Sequence, residues 1–173
     1  MFSIQNFRRI CLYSVMKNVR VLQIGMTSNI GGTETYLMQQ YMHLNSGNVV
    51  YDFVNVTGEQ DIAFTEKIVG RGSVIYSVCS RHINPLKHYF QWIKLLHNQT
   101  NRYDAIVLNA NSLSYVFPLL CGKFFNIPIR VIHSHNSGYN TKPSFLRLFL
   151  VCVNRYILKF SATHFFACSK SLL

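Results

Sequence analysis

The segment His133-Ser134-His135-Asn136 carries side chains that suit a binding or catalytic site. It closes an apolar run that begins at Ile129. Neutral imidazole and amide groups donate and accept hydrogen bonds, so they suit hydroxyls and phosphates. The His-x-His spacing also suits a metal, but a metal needs further ligands and none is obvious in the sequence. One histidine here would more often be structural; two histidines beside Asn136 favour a ligand site without a metal.

A glycine pair, Gly31 and Gly32, precedes Thr33 and Glu34 at a predicted helix start. Glycine lets a backbone approach a ligand closely and reach dihedral angles closed to other residues. The helix start adds unpaired N–H groups and a positive dipole end, which suit phosphate. The spacing matches neither a dinucleotide fingerprint nor a P-loop. The alternative is a tight turn with a glycine helix cap, and the local pattern favours neither.

A third polar cluster, Asn109-Ala110-Asn111-Ser112, ends another apolar run. It is expected at the same sheet edge as the other two clusters, so Asn111 is a candidate substrate-binding residue. Helix capping by Asn111 or Ser112 is the interpretation that the pattern favours.

These clusters are positioned by apolar runs that alternate with helical patterns. Most runs are nearly continuous in Val, Ile and Phe, as expected of strands buried on both faces. The alternation predicts an α/β, Rossmann-like, mainly parallel sheet of about six strands with helices on both faces. The predicted strands are 19–25, 51–56, 73–78, 105–109, 129–133 and 164–167. The predicted helices are 33–44, 62–69, 86–97, 113–125 and 145–160.

Two of the predicted helices carry informative faces. In helix 86–97, apolar residues recur at helical spacing and are expected to form its core face. Helix 145–160 places Arg147, Arg155 and Lys159 on one side. It would either rest on an anionic membrane or pack on the core with a solvated basic edge, and the second is favoured. The expected core face of helix 86–97 comprises Leu86, Tyr89, Phe90, Ile93 and Leu96.

Composition limits the classes of partner. The chain has 173 residues, of which 49% are hydrophobic, enough for one domain with a core. Lys and Arg number 17 against 6 Asp and Glu, so anionic partners are favoured. The basic residues form no run or nucleic-acid motif, so phosphorylated ligands and anionic membrane rank above nucleic acid, which is not expected as a partner. No segment is long and apolar enough to span a membrane.

The five cysteines show no C-x-x-C and have irregular spacings, so a zinc site is not expected. Cys121, Cys152 and Cys168 sit among apolar residues and are expected to be small core residues. The odd count without a secretory signal points to a reducing cytoplasm.

The ends of the chain suggest a piece of a longer protein. Residues 1–15 form an N-terminal extension, with Met16 expected as the natural start. The alternative is a short helix packed on the domain or lying on a membrane. Residues 16–173 form one domain, and the chain stops directly after the last predicted strand, which looks like a cut in a longer chain.

With these motifs placed, the chain resembles the N-terminal domain of a family-four retaining glycosyltransferase of the GT-B fold. The resemblance rests on four motifs that span 16–173 in order: MKNVRVLQI from Met16, GGTE from Gly31, VIHSHN from Val131 and FACS from Phe166. It is nearest to enzymes that extend capsular or exopolysaccharide repeat units.

The resemblance implies a two-domain enzyme with its active site in the interdomain cleft. The N-terminal domain would supply most of the acceptor pocket, and an absent C-terminal domain would hold the nucleotide-sugar, a UDP- or GDP-sugar. By resemblance, Gly31, Gly32 and Thr33 would approach the substrates. His133 would be the histidine near the transferred sugar, with Asn136 beside it, and a slip of two positions would give His135 that place.

The same resemblance implies no cofactor, no metal and no obligatory protein nucleophile. The expected substrates are the nucleotide-sugar and a lipid-linked or saccharide acceptor, and the expected location is the cytoplasm or the inner face of the membrane. The chain alone is expected not to turn over without the C-terminal domain. The alternative function is a non-catalytic Rossmann-like module that binds a phosphorylated ligand or a protein partner.

Overall fold

A computed structural model describes residues 18–44, 48–135 and 144–168. Within these ranges the chain alternates strands and helices from β1 to β6, as the apolar pattern predicts. The predicted extension 1–15 and the motif residue Asn136 lie outside the described residues.

The strands form one parallel sheet in the order β3-β2-β1-β4-β5-β6. From β1 the chain moves outward to β2 and β3, and then crosses back to place β4 on the other side of β1. The topological switch point therefore lies between β1 and β4. Open α/β sheets bind ligands at such a switch point, outside the carboxyl ends of the strands. The predicted Rossmann-like architecture is confirmed. The strands are β1 Val19–Ile24, β2 Val49–Asn55, β3 Ile75–Ser77, β4 Ala105–Ala110, β5 Ile129–Ser134 and β6 His164–Ala167.

Helices cover both faces of this sheet. The helices are α1 Gly32–His43, α2 Thr65–Gly70, α3 Pro85–Asn98, α4 Phe117–Phe124 and α5 Phe145–Ser161. One core lies under α3, α4 and α5, where Trp92, Leu119 and Leu158 meet Leu22 and Ile106. The other lies under α1 and α2, where Leu37 and Ile68 meet Phe53.

The core face predicted for α3 is wrong at Leu86, Phe90 and Ile93, whereas Leu96 is buried and Tyr89 is half-buried. Leu86 is 82% exposed and Phe90 66% exposed, whereas His88 is 1% and Trp92 0% exposed. A histidine and a tryptophan thus share the buried stripe with Leu96, whereas Leu86, Phe90 and Ile93 face outward. Apolar spacing alone therefore misplaced most of this face.

Helix α5 buries a narrower face than its sequence predicts. Val151, Leu158 and Ser161 are its buried residues. Most of the apolar side chains expected to pack on the core are exposed instead, among them Phe145, Phe149, Tyr156 and Phe160. Among the described residues, no helix combines the length and apolarity needed to cross a membrane.

Helix α4 begins four residues later than predicted, with Val116 as its N-cap. Asn111 and Ser112 therefore do not cap it, which corrects the favoured interpretation of that cluster. The Ser112 hydroxyl instead accepts a hydrogen bond from the Ser114 N–H at 3.2 Å, within the loop that leaves β4. Asn111 is exposed at the carboxyl edge of the sheet.

Candidate functional site

Gly25 closes β1 at the switch point and lies directly against β4. Its φ is +116°, and a Cβ at this position would lie 2.2 Å from the Asn109 carbonyl oxygen. Both observations require glycine, because other residues have a side chain and rarely adopt this φ. The conformational freedom that we expected at the glycine pair is thus used at Gly25.

Glu34 holds the loop after β1 against the first turn of α1. Its Oε1 accepts hydrogen bonds from the N–H and the hydroxyl of Thr27, at 3.0 and 2.8 Å. Its Oε2 accepts from the Gly31 N–H at 3.2 Å. Gly31 is the N-cap and has an extended backbone with φ of −126°. The Gly31 N–H is therefore occupied within the protein, as in a capping box.

Gly32 is the more open member of the pair. It is exposed, and a Cβ built there would meet nothing within 4 Å. Thr33 follows it in the first turn of α1 and is half-buried. The backbone at Gly32 is therefore accessible to a ligand, and the predicted role of Gly32 and Thr33 in substrate binding stays a prediction.

Alternation along β5 directs His133 and His135 toward α1. Val131, two residues earlier, packs in the core beneath α1 and α2, so His133 projects from the same face. Tyr36, one turn into α1, makes edge contacts with both imidazoles, with ring centroids 5.4 Å from His133 and 5.5 Å from His135. The start of α1 and the end of β5 thus converge on one small region.

Cys168 brings a thiol to the same two histidines. Phe166 pairs with His133 in the register of β5 and β6, and the Cys168 N–H donates to the Ser134 carbonyl at 3.1 Å. The Cys168 Sγ lies 3.6 Å from His133 Nε2 and 3.6 Å from His135 Nδ1. Cys168 is exposed, as is Cys152, so only Cys121 of the three cysteines expected in the core is buried.

The amide of Asn109 sets the protonation pattern of His135. Its Nδ2 donates to the Gln23 Oε1 and to the Ile24 carbonyl, both at 3.0 Å. Its Oδ1 is thereby directed at His135 Nε2, 3.1 Å away. Because an amide oxygen only accepts, Nε2 carries the proton and Nδ1 presents its lone pair toward Cys168.

Both histidines are held in the neutral form at neutral pH. Burial, with a smaller contribution from His135, lowers the pKa of His133 to about 4. Burial also lowers the pKa of His135, against an opposing effect of the Glu34 charge. The site therefore offers neutral imidazole donors and acceptors rather than cations.

The structure brings together only some of the residues expected at the site. His133 and His135 meet each other, whereas Asn111 is exposed in the loop after β4 and Asn136 is outside the described residues. Sequence reasoning named Asn109 only as a member of the third polar cluster, with Asn111 as its candidate, and it missed Tyr36 and Cys168 as site residues. The alternation of Val131, His133 and His135 beside that of Phe166 and Cys168 was the signal available, because neighbouring parallel strands share a face.

Known proteins resemble this chain in sequence and in fold. No family model matches the chain. Over 152 residues, which cover 87% of the chain, it is 26% identical to the "putative glycosyltransferase EpsF" of Bacillus subtilis. Its fold matches that of MurG from Acinetobacter baumannii with a TM-score of 0.58 over 90% of the chain, at 12% sequence identity. The chain therefore resembles a domain of a GT-B glycosyltransferase in fold and in sequence.

This glycosyltransferase-like domain is similar to part of each relative. It spans 39% of the length of EpsF and 42% of the MurG chain. The resemblance identified from the Gly31 and His133 motifs is confirmed at the level of a GT-B glycosyltransferase-like domain.

Proposed function

We propose that this domain forms the acceptor side of a retaining glycosyltransferase. The reaction would transfer a hexosyl group from a UDP- or GDP-sugar to a lipid-linked or saccharide acceptor in surface polysaccharide biosynthesis. The similarity to a protein named as a glycosyltransferase, across 87% of the chain, supports this assignment. A second domain would hold the nucleotide-sugar, since the chain spans less than half of EpsF.

One observation carries the proposal. Tyr36 packs against both His133 and His135, which joins the open first turn of α1 to the end of β5. These elements flank the strands at the switch point, where α/β sheets bind ligands. A saccharide placed there would meet the accessible backbone of Gly32 on one side and the imidazole of His133 on the other.

The role proposed for the chain is positioning. A neutral His133 can hydrogen-bond a sugar hydroxyl, and Gly32 and Thr33 leave backbone groups accessible to a substrate phosphate or hydroxyl. Holding donor and acceptor in a reactive geometry lowers the barrier without a protein nucleophile or an organic cofactor. Stabilisation of the departing nucleotide diphosphate would fall mainly to the second domain.

Transfer from radiolabelled UDP- and GDP-hexoses to endogenous lipid-linked saccharides tests this function. The assay uses membranes from cells that express the natural gene, with the chromosomal copy deleted. His133→Ala should lower transfer at least tenfold. His43→Ala, at the far end of α1 from Tyr36, should leave transfer unchanged. Equal transfer by the wild type and a folded His133→Ala variant would show that His133 has no role in the transfer.

Absence of transfer with every donor would contradict the enzyme assignment itself. If the purified chain nevertheless bound a phosphorylated ligand or a protein partner, it would be a non-catalytic Rossmann-like module.

We also propose that the domain works at the inner face of the cytoplasmic membrane. The exposed aromatic residues of α5, with Arg155 and Lys159 exposed on the same helix, are chemically suited to an anionic lipid surface. Sedimentation with anionic but not zwitterionic vesicles is the expected result, and loss of sedimentation in Arg155→Glu/Lys159→Glu would support α5 as the contact. Equal sedimentation with both kinds of vesicle would contradict it.

A further inference from the structure

The carboxyl edge of the sheet holds a cluster of three ligand-type side chains, of which the proposed transfer uses only His133. One ligand atom from each of His133, His135 and Cys168 lies within 4.8 Å of the others. They come from β5, from the residue that follows it and from the residue that follows β6. No metal was expected from the sequence, because no further ligand was obvious beside the histidine pair. In the fold, Cys168 is the third ligand-type side chain of the cluster.

The distances fit tetrahedral coordination. With bonds of about 2.3 Å to sulfur and about 2.0–2.1 Å to nitrogen, a tetrahedral zinc ion separates the sulfur from the nitrogen by about 3.5–3.6 Å. The Cys168 Sγ lies 3.6 Å from His133 Nε2 and 3.6 Å from His135 Nδ1. Two nitrogens on such an ion are about 3.3 Å apart, and the ligand atoms of the cluster lie within 4.8 Å of one another, so the imidazoles would need to approach by at most about 1.5 Å.

The groups around the cluster prepare it for a cation. The Asn109 Oδ1 accepts a hydrogen bond from the Nε2–H of His135, which leaves the lone pair of Nδ1 directed at Cys168. A ligating histidine usually donates its other ring N–H to a carboxylate, a backbone carbonyl or water, and the amide oxygen of Asn109 occupies that place here. Glu34 is committed to Thr27 and Gly31, so it does not supply a fourth ligand.

We propose that His133, His135 and Cys168 bind a zinc-class divalent cation through two imidazole nitrogens and one thiolate. As the metal binds, the Cys168 thiol loses its proton to solvent and the sulfur–metal bond forms. Cys168 is exposed and His135 is half-buried, so the fourth position faces solvent and is open to water or an exogenous ligand. Three protein ligands with one open position distinguish this site from a closed structural zinc site.

The ligand set selects the class of metal. One thiolate and two imidazoles suit zinc and cobalt, whereas magnesium prefers oxygen ligands. The proposal is independent of the glycosyltransferase function, because metal binding is measured on the purified chain without any sugar substrate.

Cobalt titration of the untagged, reduced and chelator-stripped chain tests the site. We expect one equivalent of Co²⁺ to bind and to produce a near-ultraviolet thiolate-to-cobalt charge-transfer band. Zn²⁺ should displace the cobalt, and excess Mg²⁺ should not. Cys168→Ser should abolish the band and weaken zinc binding at least tenfold in a chelator competition. Cys152→Ser, which removes another exposed thiol, should match the wild type.

A second variant separates ligation from folding. His135→Gln should keep the charge-transfer band but weaken zinc binding at least tenfold, because the thiolate remains and one nitrogen ligand is lost. The circular dichroism spectrum of each variant checks its fold. A charge-transfer band that survives in Cys168→Ser, or zinc affinity that is equal in the wild type and both variants, would overturn the proposal.

Discussion

Asn109 and His135 are joined by a hydrogen bond of 3.1 Å between the Oδ1 of the amide and the Nε2 of the imidazole. The same amide donates to the Ile24 carbonyl at the end of β1. Asn109 thus connects the switch point of the sheet to the histidine cluster, and its orientation determines which nitrogen of His135 faces the cluster. A buried amide with both its donor and acceptor engaged is sensitive to small chemical changes.

Asn109→Asp is expected to lower the free energy of unfolding by about 2–3 kcal/mol. The carboxylate keeps the shape of the side chain but loses the donor to the Ile24 carbonyl and to Gln23, so acceptors face one another in a buried position. Urea unfolding followed by circular dichroism measures the change. Asn111→Asp, two residues further on and exposed, is the control and should stay within about 0.5 kcal/mol of the wild type. Equal effects of the two changes would contradict the role assigned to Asn109.

Substitutions of Gly25 and Gly32 should differ sharply in their effect on stability. Gly25→Ala should be severely destabilising, by about 3 kcal/mol or more, because its φ is +116° and a Cβ meets the Asn109 carbonyl oxygen at 2.2 Å. Gly32→Ala should change the stability by less than about 1 kcal/mol, because a Cβ meets nothing within 4 Å. Thermal unfolding of both variants measures this contrast. A Gly25→Ala variant as stable as Gly32→Ala would contradict the close approach of β1 and β4.

The sequence predicts the strands and helices of this molecule, but it does not predict the buried side of α3 or the position of Cys168. Every strand and helix expected from the apolar pattern is present, because continuous apolar runs and cap residues act locally. The buried side of α3 could not be identified, because His88 becomes a core residue only when the Cys79 carbonyl and the Tyr115 hydroxyl satisfy its two nitrogens. Cys168 reaches the histidines through the pairing of β5 and β6, a contact between residues more than 30 positions apart.

The inward side of α3 gives a stability test with a matched pair of aromatic residues. Trp92→Ala should cost about 3–5 kcal/mol, because Trp92 is 0% exposed and its removal leaves a large cavity. Phe90→Ala, on the outward side, should stay within about 0.5 kcal/mol. Urea unfolding followed by circular dichroism compares them. A larger loss of stability in Phe90→Ala than in Trp92→Ala would instead support the core face that the sequence predicted.

His88 should make the stability of the fold depend on pH. Burial lowers its pKa from the ordinary value, opposed by the bond to the Cys79 carbonyl and reinforced by the charge of Arg81. Below a pH of about 6.5, the unfolded chain binds a proton that the folded chain resists. The free energy of unfolding should therefore fall as the pH is lowered from about 7 to about 5.

His88→Gln should reduce this dependence, whatever its effect on the absolute stability. His97→Gln, at an exposed position of the same helix, should keep the slope of the wild type. The measurement is a series of urea unfolding curves in the presence of a chelator, so that metal binding makes no contribution. An unchanged slope in His88→Gln would show that this imidazole does not resist protonation in the fold.

Zinc should inhibit the proposed sugar transfer if both proposals hold. A cation bound by Cys168 and the two histidines would take the Nε2 lone pair of His133, so the imidazole could no longer accept a hydrogen bond from a saccharide hydroxyl. The measurement is transfer with and without Zn²⁺, with each variant compared with its own zinc-free rate. Cys168→Ser should lose most of the inhibition because the thiolate ligand is gone, and Cys152→Ser should remain as sensitive as the wild type. Equal inhibition of the two serine variants would place the inhibitory zinc elsewhere, whereas transfer that is insensitive to zinc, in a wild type that binds zinc, would show that His133 does not hydrogen-bond the saccharide during transfer.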